Sequence, residues 1–294
     1  MKALKYRGIA FVLLAGLLWG AMGVYVKFFT AEGLSATDTA LVRIGSASIL
    51  MGIYILFKDK SLFKIKLRHL WCFFGSGVCS LMFFSLCYFE TILRSSMSVA
   101  AVLLYLAPIF VMLMSRLFFK APITPCKILA IIFSVVGCAL VAGIAGSGST
   151  ITVTAFLYGL GSAVGYALYS IFSKFALIRG YSSYTITFYT FLFAFAGLLL
   201  FADVPLVGRV LIENGENVVM GVLIGLLSAV LPYVFYTKGL ETTEAGKASI
   251  LASVEPVCAT LISIIAYRER PTFLQVVGIV FVLFSIVLLE KRKR

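Results

Sequence analysis

Ten long apolar stretches follow one another along this chain, at 8–29, 37–57, 69–90, 95–118, 126–143, 154–178, 183–202, 217–238, 244–266 and 272–290. A helix needs about 20 apolar residues to cross roughly 30 Å of hydrocarbon. Inside a bilayer every backbone N–H and C=O must find a partner within the protein, so stretches of this kind fold as helices. The 294 residues are 62% hydrophobic and 13% charged, with mean hydropathy +1.08, where soluble domains carry about a quarter charged residues. The connections are too brief for a soluble catalytic domain. The expected architecture is an all-α polytopic membrane protein with ten transmembrane helices, in a cell (inner or plasma) membrane. The basic start (Lys2, Lys5, Arg7) before the first stretch resembles a signal peptide. No small-x-small cleavage site follows it, so it is expected to stay as the first helix.

The two halves resemble each other. Residues 16–28, GLLWGAMGVYVKF, match residues 163–175, AVGYALYSIFSKF, at an offset of 147. Trp19 falls on Tyr166, Gly20 on Ala167, Lys27 on Lys174 and Phe28 on Phe175; at an offset of 148, Pro108 falls on Pro256 and Thr124 on Thr272. The repeats are placed at 8–142 and 154–290, joined by IAGSGSTITV at 144–153. Five spans per repeat force the second copy to enter the membrane inverted. Inverted repeats of this type recur in secondary transporters, with the substrate site between the copies.

The net charge of +13 raises the possibility of a nucleic-acid partner, but its distribution argues against one. With the N-terminus cytoplasmic, most Lys and Arg residues fall on the cytoplasmic side, among them Lys58, Lys60, Lys64, Lys66, Arg68, Lys238 and the tail Lys291–Arg294. That bias follows the positive-inside rule and puts both termini in the cytoplasm. The six cysteines contain no CxxC pair and lie in or beside apolar stretches, as small hydrophobes do. No metal or cofactor is expected. The single His69 lies at a span edge, without ligand partners in the sequence.

Few ionisable groups fall inside the spans. Glu255 is the deepest, directly before Pro256. A carboxylate at the centre of a spanning helix costs about 2.5–3.5 kcal/mol on insertion scales, and such residues face cavities or partners on ion and substrate pathways. Its structural alternative is a Glu that steadies the bend at Pro256. Arg43, in the second span, is a candidate partner for Glu255 or for a substrate carboxylate, or else snorkels to the surface. Trp19, Tyr105, Tyr166 and Tyr233 are candidates to line the pathway, because buried Trp and Tyr tips seek partners; interfacial belts are the alternative. Pro108, Pro232 and Pro256 interrupt spans and free the carbonyls of Leu104, Ser228 and Ala252. Freed groups at membrane depth are tolerated where protein buries them or a cavity meets them. Gly16-xxx-Gly20, Gly161-xxx-Gly165 and Gly221-xxx-Gly225 allow close helix packing, within one chain or across a homodimer seam. The oligomeric state, monomer or homodimer, stays open. The 203–216 connection, DVPLVGRVLIENGE, is expected to lie along the membrane surface.

Taken together, LLWGAMGVYVKF, LVRIGSAS with Arg43, and YTKGLETTEAGKASILASVEPVCATLISIIAYRERPT resemble EamA-type transporters of the drug/metabolite transporter superfamily. The resemblance covers nearly the whole chain. It implies a small-solute transporter working by alternating access between two five-helix repeats, with Glu255-Pro256 and Glu269 as the second repeat's family features. The first repeat departs from the pattern: Ala107 precedes Pro108, and Lys120-Ala121-Pro122 stands opposite Arg268-Glu269-Arg270. Any coupling carboxylate is therefore one-sided. The expected function is movement of amino acids, amines or related metabolites, in the export direction, with protons as coupling ion. The alternatives are a flippase for lipid-linked substrates and a non-transporting membrane scaffold. An enzyme is disfavoured by the lack of an HExxH motif, and ATP-driven transport by the lack of a P-loop.

Overall fold

The structure is a computed structural model that describes residues 2–143, 151–267 and 271–291; the regular structure among them is all helical. Among the described residues, seven helices are long and apolar enough to cross a membrane: α1 (Tyr6–Ala31), α2 (Ala36–Lys58), α3 (Leu67–Arg94), α4 (Met97–Phe119), α6 (Val153–Ile178), α9 (Gly215–Thr242) and α10 (Ala245–Ile262). Three further apolar helices are shorter: α5 (Pro125–Val141), α7 (Ser183–Leu198) and α11 (Phe273–Leu289). The expected surface connector forms α8 (Val204–Glu213), with Val207 and Val210 buried and Ile212 exposed. Most of the linker (144–150) and Arg268-Glu269-Arg270 lie outside the described residues.

The chain closes its first turn in each half with the same local chemistry. After α1, Gly33 adopts φ +85°, and after α6, Gly180 adopts φ +82°. These left-handed glycines let Leu34 N donate to Phe29 O (3.0 Å) and Tyr181 N to Ala176 O (3.2 Å), the six-to-one bond of a Schellman cap. Ser35 and Ser182 then cap α2 and α7 through their side chains. Asp38 completes a capping box with Ser35, and its other oxygen accepts from Asp203 N at 2.8 Å.

Backbone irregularities also match between halves. A π-helical stretch occupies Gly75–Met82 in α3 and Leu226–Val230 in α9; the first, displaced by 148 positions, overlaps the second. Helix α4 breaks at Tyr105–Leu106 and α10 at Ser253–Val254. In both, helix resumes with proline second, at Pro108 and Pro256, so no N–H at these positions reaches back across the break to the carbonyls of Leu104 and Ala252.

Packing runs mainly across the halves. Helix α1 rests on α9 and α10, α6 rests on α3 and α4, α2 lies against α7 and α9, and α5 pairs with α11. Glycines set the closest approaches. A Cβ on Gly16 would stand 2.9 Å from Ala252 O, the carbonyl freed by Pro256, and one on Gly20 would stand 2.8 Å from Glu255 O. Gly77 meets α7 at Phe193 and Ala194, and Gly225 meets α2 at Ser46 and Ala47. The small-residue stripes are thus spent on contacts inside one chain.

Loop contacts sort the helix ends into two sets. Asn217 donates to Glu32 (3.2 Å), Asp203 to Asp38, and Gln275 to Val141 O (3.3 Å) at one end. At the other, Lys127 pairs with Glu244 (2.7 Å), Lys66 N donates to Tyr181 (3.0 Å) and Thr185 to Leu62 O (2.8 Å). Each set contains ends that the positive-inside reading assigns to one side.

The glycine seam yields a test. Gly20→Val is expected to lower thermal stability in detergent by about 1–3 kcal/mol, the usual cost of overpacking. Gly23→Val, at a position with open space around it, is expected to have little effect. Equal melting of the two variants contradicts the α1–α10 seam.

Candidate substrate site

The two helix breaks face one another at the centre of the bundle. From α4 come Tyr105 and Pro108; from α10 come Ser249, Ser253 and Glu255; Tyr166 of α6 completes the wall. The chamber they enclose measures about 10 Å³, room for one water. Its residues are repeat mates: at an offset of 148, Leu104 corresponds to Ala252, Tyr105 to Ser253, Ala107 to Glu255 and Pro108 to Pro256. One chamber is thus built twice over, with a carboxylate on one side only.

Tyr166 also walls a second chamber of about 10 Å³, lined by Trp19, Phe84, Tyr169, Tyr233 and Tyr236, with Ser80 and Ser170. The rings form a continuous cluster. Trp19 lies 6.2 Å from Tyr166, 5.2 Å from Tyr233 and 5.5 Å from Tyr236, and Tyr169 lies 4.9 Å from Tyr233. Trp19 and Tyr166 occupy equivalent repeat positions and meet edge to face, as mates beside a two-fold axis would. The edge-to-face geometry sets ring hydrogens against a ring face and adds about 0.5–1.5 kcal/mol per pair beyond burial.

Hydrogen bonding separates structural from available tips. The Tyr169 hydroxyl is held by Thr237 at 2.6 Å, and the Tyr236 hydroxyl by Ser170 at 2.7 Å. Ser80 donates to Gly165 O at 2.7 Å. These groups brace α6 against α3 and α9. Among the described residues, Trp19 Nε1 and the Tyr105 and Tyr166 hydroxyls make no hydrogen bond. Their side chains line the two small chambers.

Arg43 is buried and does not reach the surface. Its guanidinium lies against Met22 Sδ, where α1 is interrupted at Ala21. Its Nε has no hydrogen-bond partner among the described residues. Neither ion pair among the described residues, Arg94–Glu90 at 2.8 Å nor Lys127–Glu244, involves Arg43 or Glu255. A buried cation and a buried carboxyl group thus sit in the spans without an ion pair between them among the described residues. Thr190, at the repeat position of Arg43, is instead satisfied by Ser76 at 2.6 Å.

Of the six pathway residues named from sequence, Glu255, Tyr105, Tyr166, Trp19 and Tyr233 line these two chambers, and Arg43 lines neither. Pro108 and Pro256 stand at the breaks, and Pro232 opens the helical turn that carries Tyr233 and Tyr236 after the π stretch. Lys174 turns away and donates to Leu240 O at 2.6 Å. Sequence reading missed Ser249 and Ser253, which carry no charge or motif. The offset of 148 that pairs Ser253 with Tyr105 was the available signal. Among the described residues no cluster of three His, Cys, Asp or Glu side chains could hold a metal.

Known proteins place this geometry in context. Residues 6–143 and 153–290 each match the model of the EamA-like transporter family. The chain is 24% identical over 300 residues to the uncharacterized inner membrane transporter YicL of Salmonella typhimurium, covering 98% of this chain and 97% of the relative. It is 25% identical over 287 residues to an uncharacterized transporter of Archaeoglobus fulgidus, with 98% and 97% covered. A solved crystal structure superposes with TM-score 0.78 over 96% of both chains at 16% identity, which shows a shared fold. With both halves matched, this multi-pass membrane protein belongs to the EamA-like transporter family.

Proposed function

We propose that the chain is a secondary transporter that exports amino acids, amines or related metabolites by alternating access, coupled to protons through Glu255. In this reading ten helices cross the membrane as two inverted five-helix repeats (8–142 and 154–290), with both termini cytoplasmic. The two sets of helix ends support it, since one set carries most of the Lys and Arg residues.

The observation that carries the proposal is Glu255, a carboxyl group without an ion pair among the described residues, in a water-sized chamber between two matched helix breaks. An ammonium group suits that region: Glu255 supplies charge, Tyr105 and Tyr166 supply rings beside it, and Trp19 supplies one in the adjoining chamber that Tyr166 shares. Arg43 suits the carboxylate of a zwitterion. A single carboxyl group that holds either a proton or a cationic substrate, never both, makes the two ligands exchange across the membrane. Water-sized chambers correspond to the occluded stage of such a cycle, with the halves rocking about the breaks to open either side.

A thermal-shift screen of metabolites followed by counterflow in proteoliposomes identifies the solute. With it, a pH gradient is expected to drive accumulation by the wild type and not by Glu255→Gln. Flux unchanged by Glu255→Gln at every pH removes the coupling role. Trp19→Ala is expected to raise the half-saturating concentration of a cationic solute by roughly 2- to 30-fold, the range of a cation–π contact; an unchanged value takes Trp19 off the pathway. Lipid scrambling by the same proteoliposomes without solute flux favours the flippase alternative.

A further inference from the structure

A separate cavity of about 700 Å³ opens between α2 and α9, far larger than the central chambers. Leu50, Ile53 and Phe57 line one wall, and Val234 and Phe235 the other. Ile53 is 46% exposed and Phe57 90% exposed, so the cavity opens sideways through the apolar outer face, where lipid chains lie. Its rim carries two cations held on one aromatic. Lys238 donates to the Tyr184 hydroxyl at 2.8 Å, and Lys58 lies 3.9 Å from the Tyr184 ring centroid while donating to Tyr54 at 2.7 Å. Neither lysine has an acidic partner among the described residues. The nearest carboxylates along the chain are engaged elsewhere: Asp59 accepts from Ser61 and Glu241 from Ser183. Two uncompensated cations above a laterally open apolar slot present a charged end and a greasy end in the order a lipid does.

We propose that this cavity is a binding site for one anionic phospholipid, its acyl chain between α2 and α9 and its phosphate on Lys58 and Lys238. A basic pocket between transmembrane helices is the arrangement that holds anionic headgroups, and the two tyrosines fix the lysines so that binding orders little more. The site stands apart from Glu255 and does not depend on the transport reading.

Native mass spectrometry of the purified full-length chain tests this, with phosphatidylglycerol and phosphatidylcholine of identical acyl chains supplied in equal amounts. Wild type is expected to retain one phosphatidylglycerol in preference. The K58Q/K238Q double variant is expected to lose that preference, by about fivefold per lysine. Ile53→Trp, which narrows the slot and leaves both charges, is expected to release the lipid as well, and it carries the test if the double variant does not fold. Equal retention of the two lipids by wild type overturns the proposal, as does unchanged retention by both variants. Displacement of phosphatidylglycerol by soluble hexanoate assigns the cavity to a soluble solute and overturns the lipid site.

Discussion

A carbonyl freed by a proline inside a membrane has no water to turn to, and the central architecture follows from how this chain covers such groups. Pro256 frees Ala252 O, and Gly16 of α1 lies over it; four residues on, Gly20 lies over Glu255 O. Only residues without a side chain permit that approach, which explains a Gly-xxx-Gly stripe at this height on α1. The same helix face brings Trp19 to Tyr166, the ring that both chambers share. Cover for the backbone and the wall of the chamber are therefore supplied by one helix face.

The frame is nearly two-fold, and its chemistry is not. Trp19 meets Tyr166, its own repeat mate, and Tyr105 meets the chamber that Ser253 lines from the other side. Against this symmetry, Glu255 stands where the first half has Ala107, and Arg43 stands where the second half has the satisfied Thr190–Ser76 pair. The backbone departs from symmetry at the same place: α1 is interrupted at Ala21 beside Arg43, whereas α6 runs unbroken through the equivalent position. Duplication supplies two matched breaks, and the carboxyl group stands on one side of the chamber between them.

Much of this was legible in the sequence because lipid imposes simple rules. Apolar length located the helices, the offsets of 147 and 148 paired them, and the expense of a buried charge singled out Glu255 and Arg43. Helix α7 ended earlier than its apolar stretch, at Leu198, because the connection that follows is tied down through Asp203 to Asp38. The π-helical stretches were not legible, because apolar periodicity carries no mark of them. Nor were the chamber serines, which are too common in membrane helices to stand out, or the side cavity, whose walls are ordinary apolar residues until the fold sets Lys58 and Lys238 over one tyrosine.

Inversion of the second half is the claim on which the shared chamber rests. It is tested most directly by thiol labelling in a cysteine-free background, with single cysteines replacing Glu32 and Arg179, exposed residues at equivalent ends of α1 and α6. An impermeant maleimide added to intact cells is predicted to label Glu32→Cys and to reach Arg179→Cys only after the membrane is opened. Labelling of both from the same side would contradict the inverted repeat, and with it the chamber built from two mated breaks.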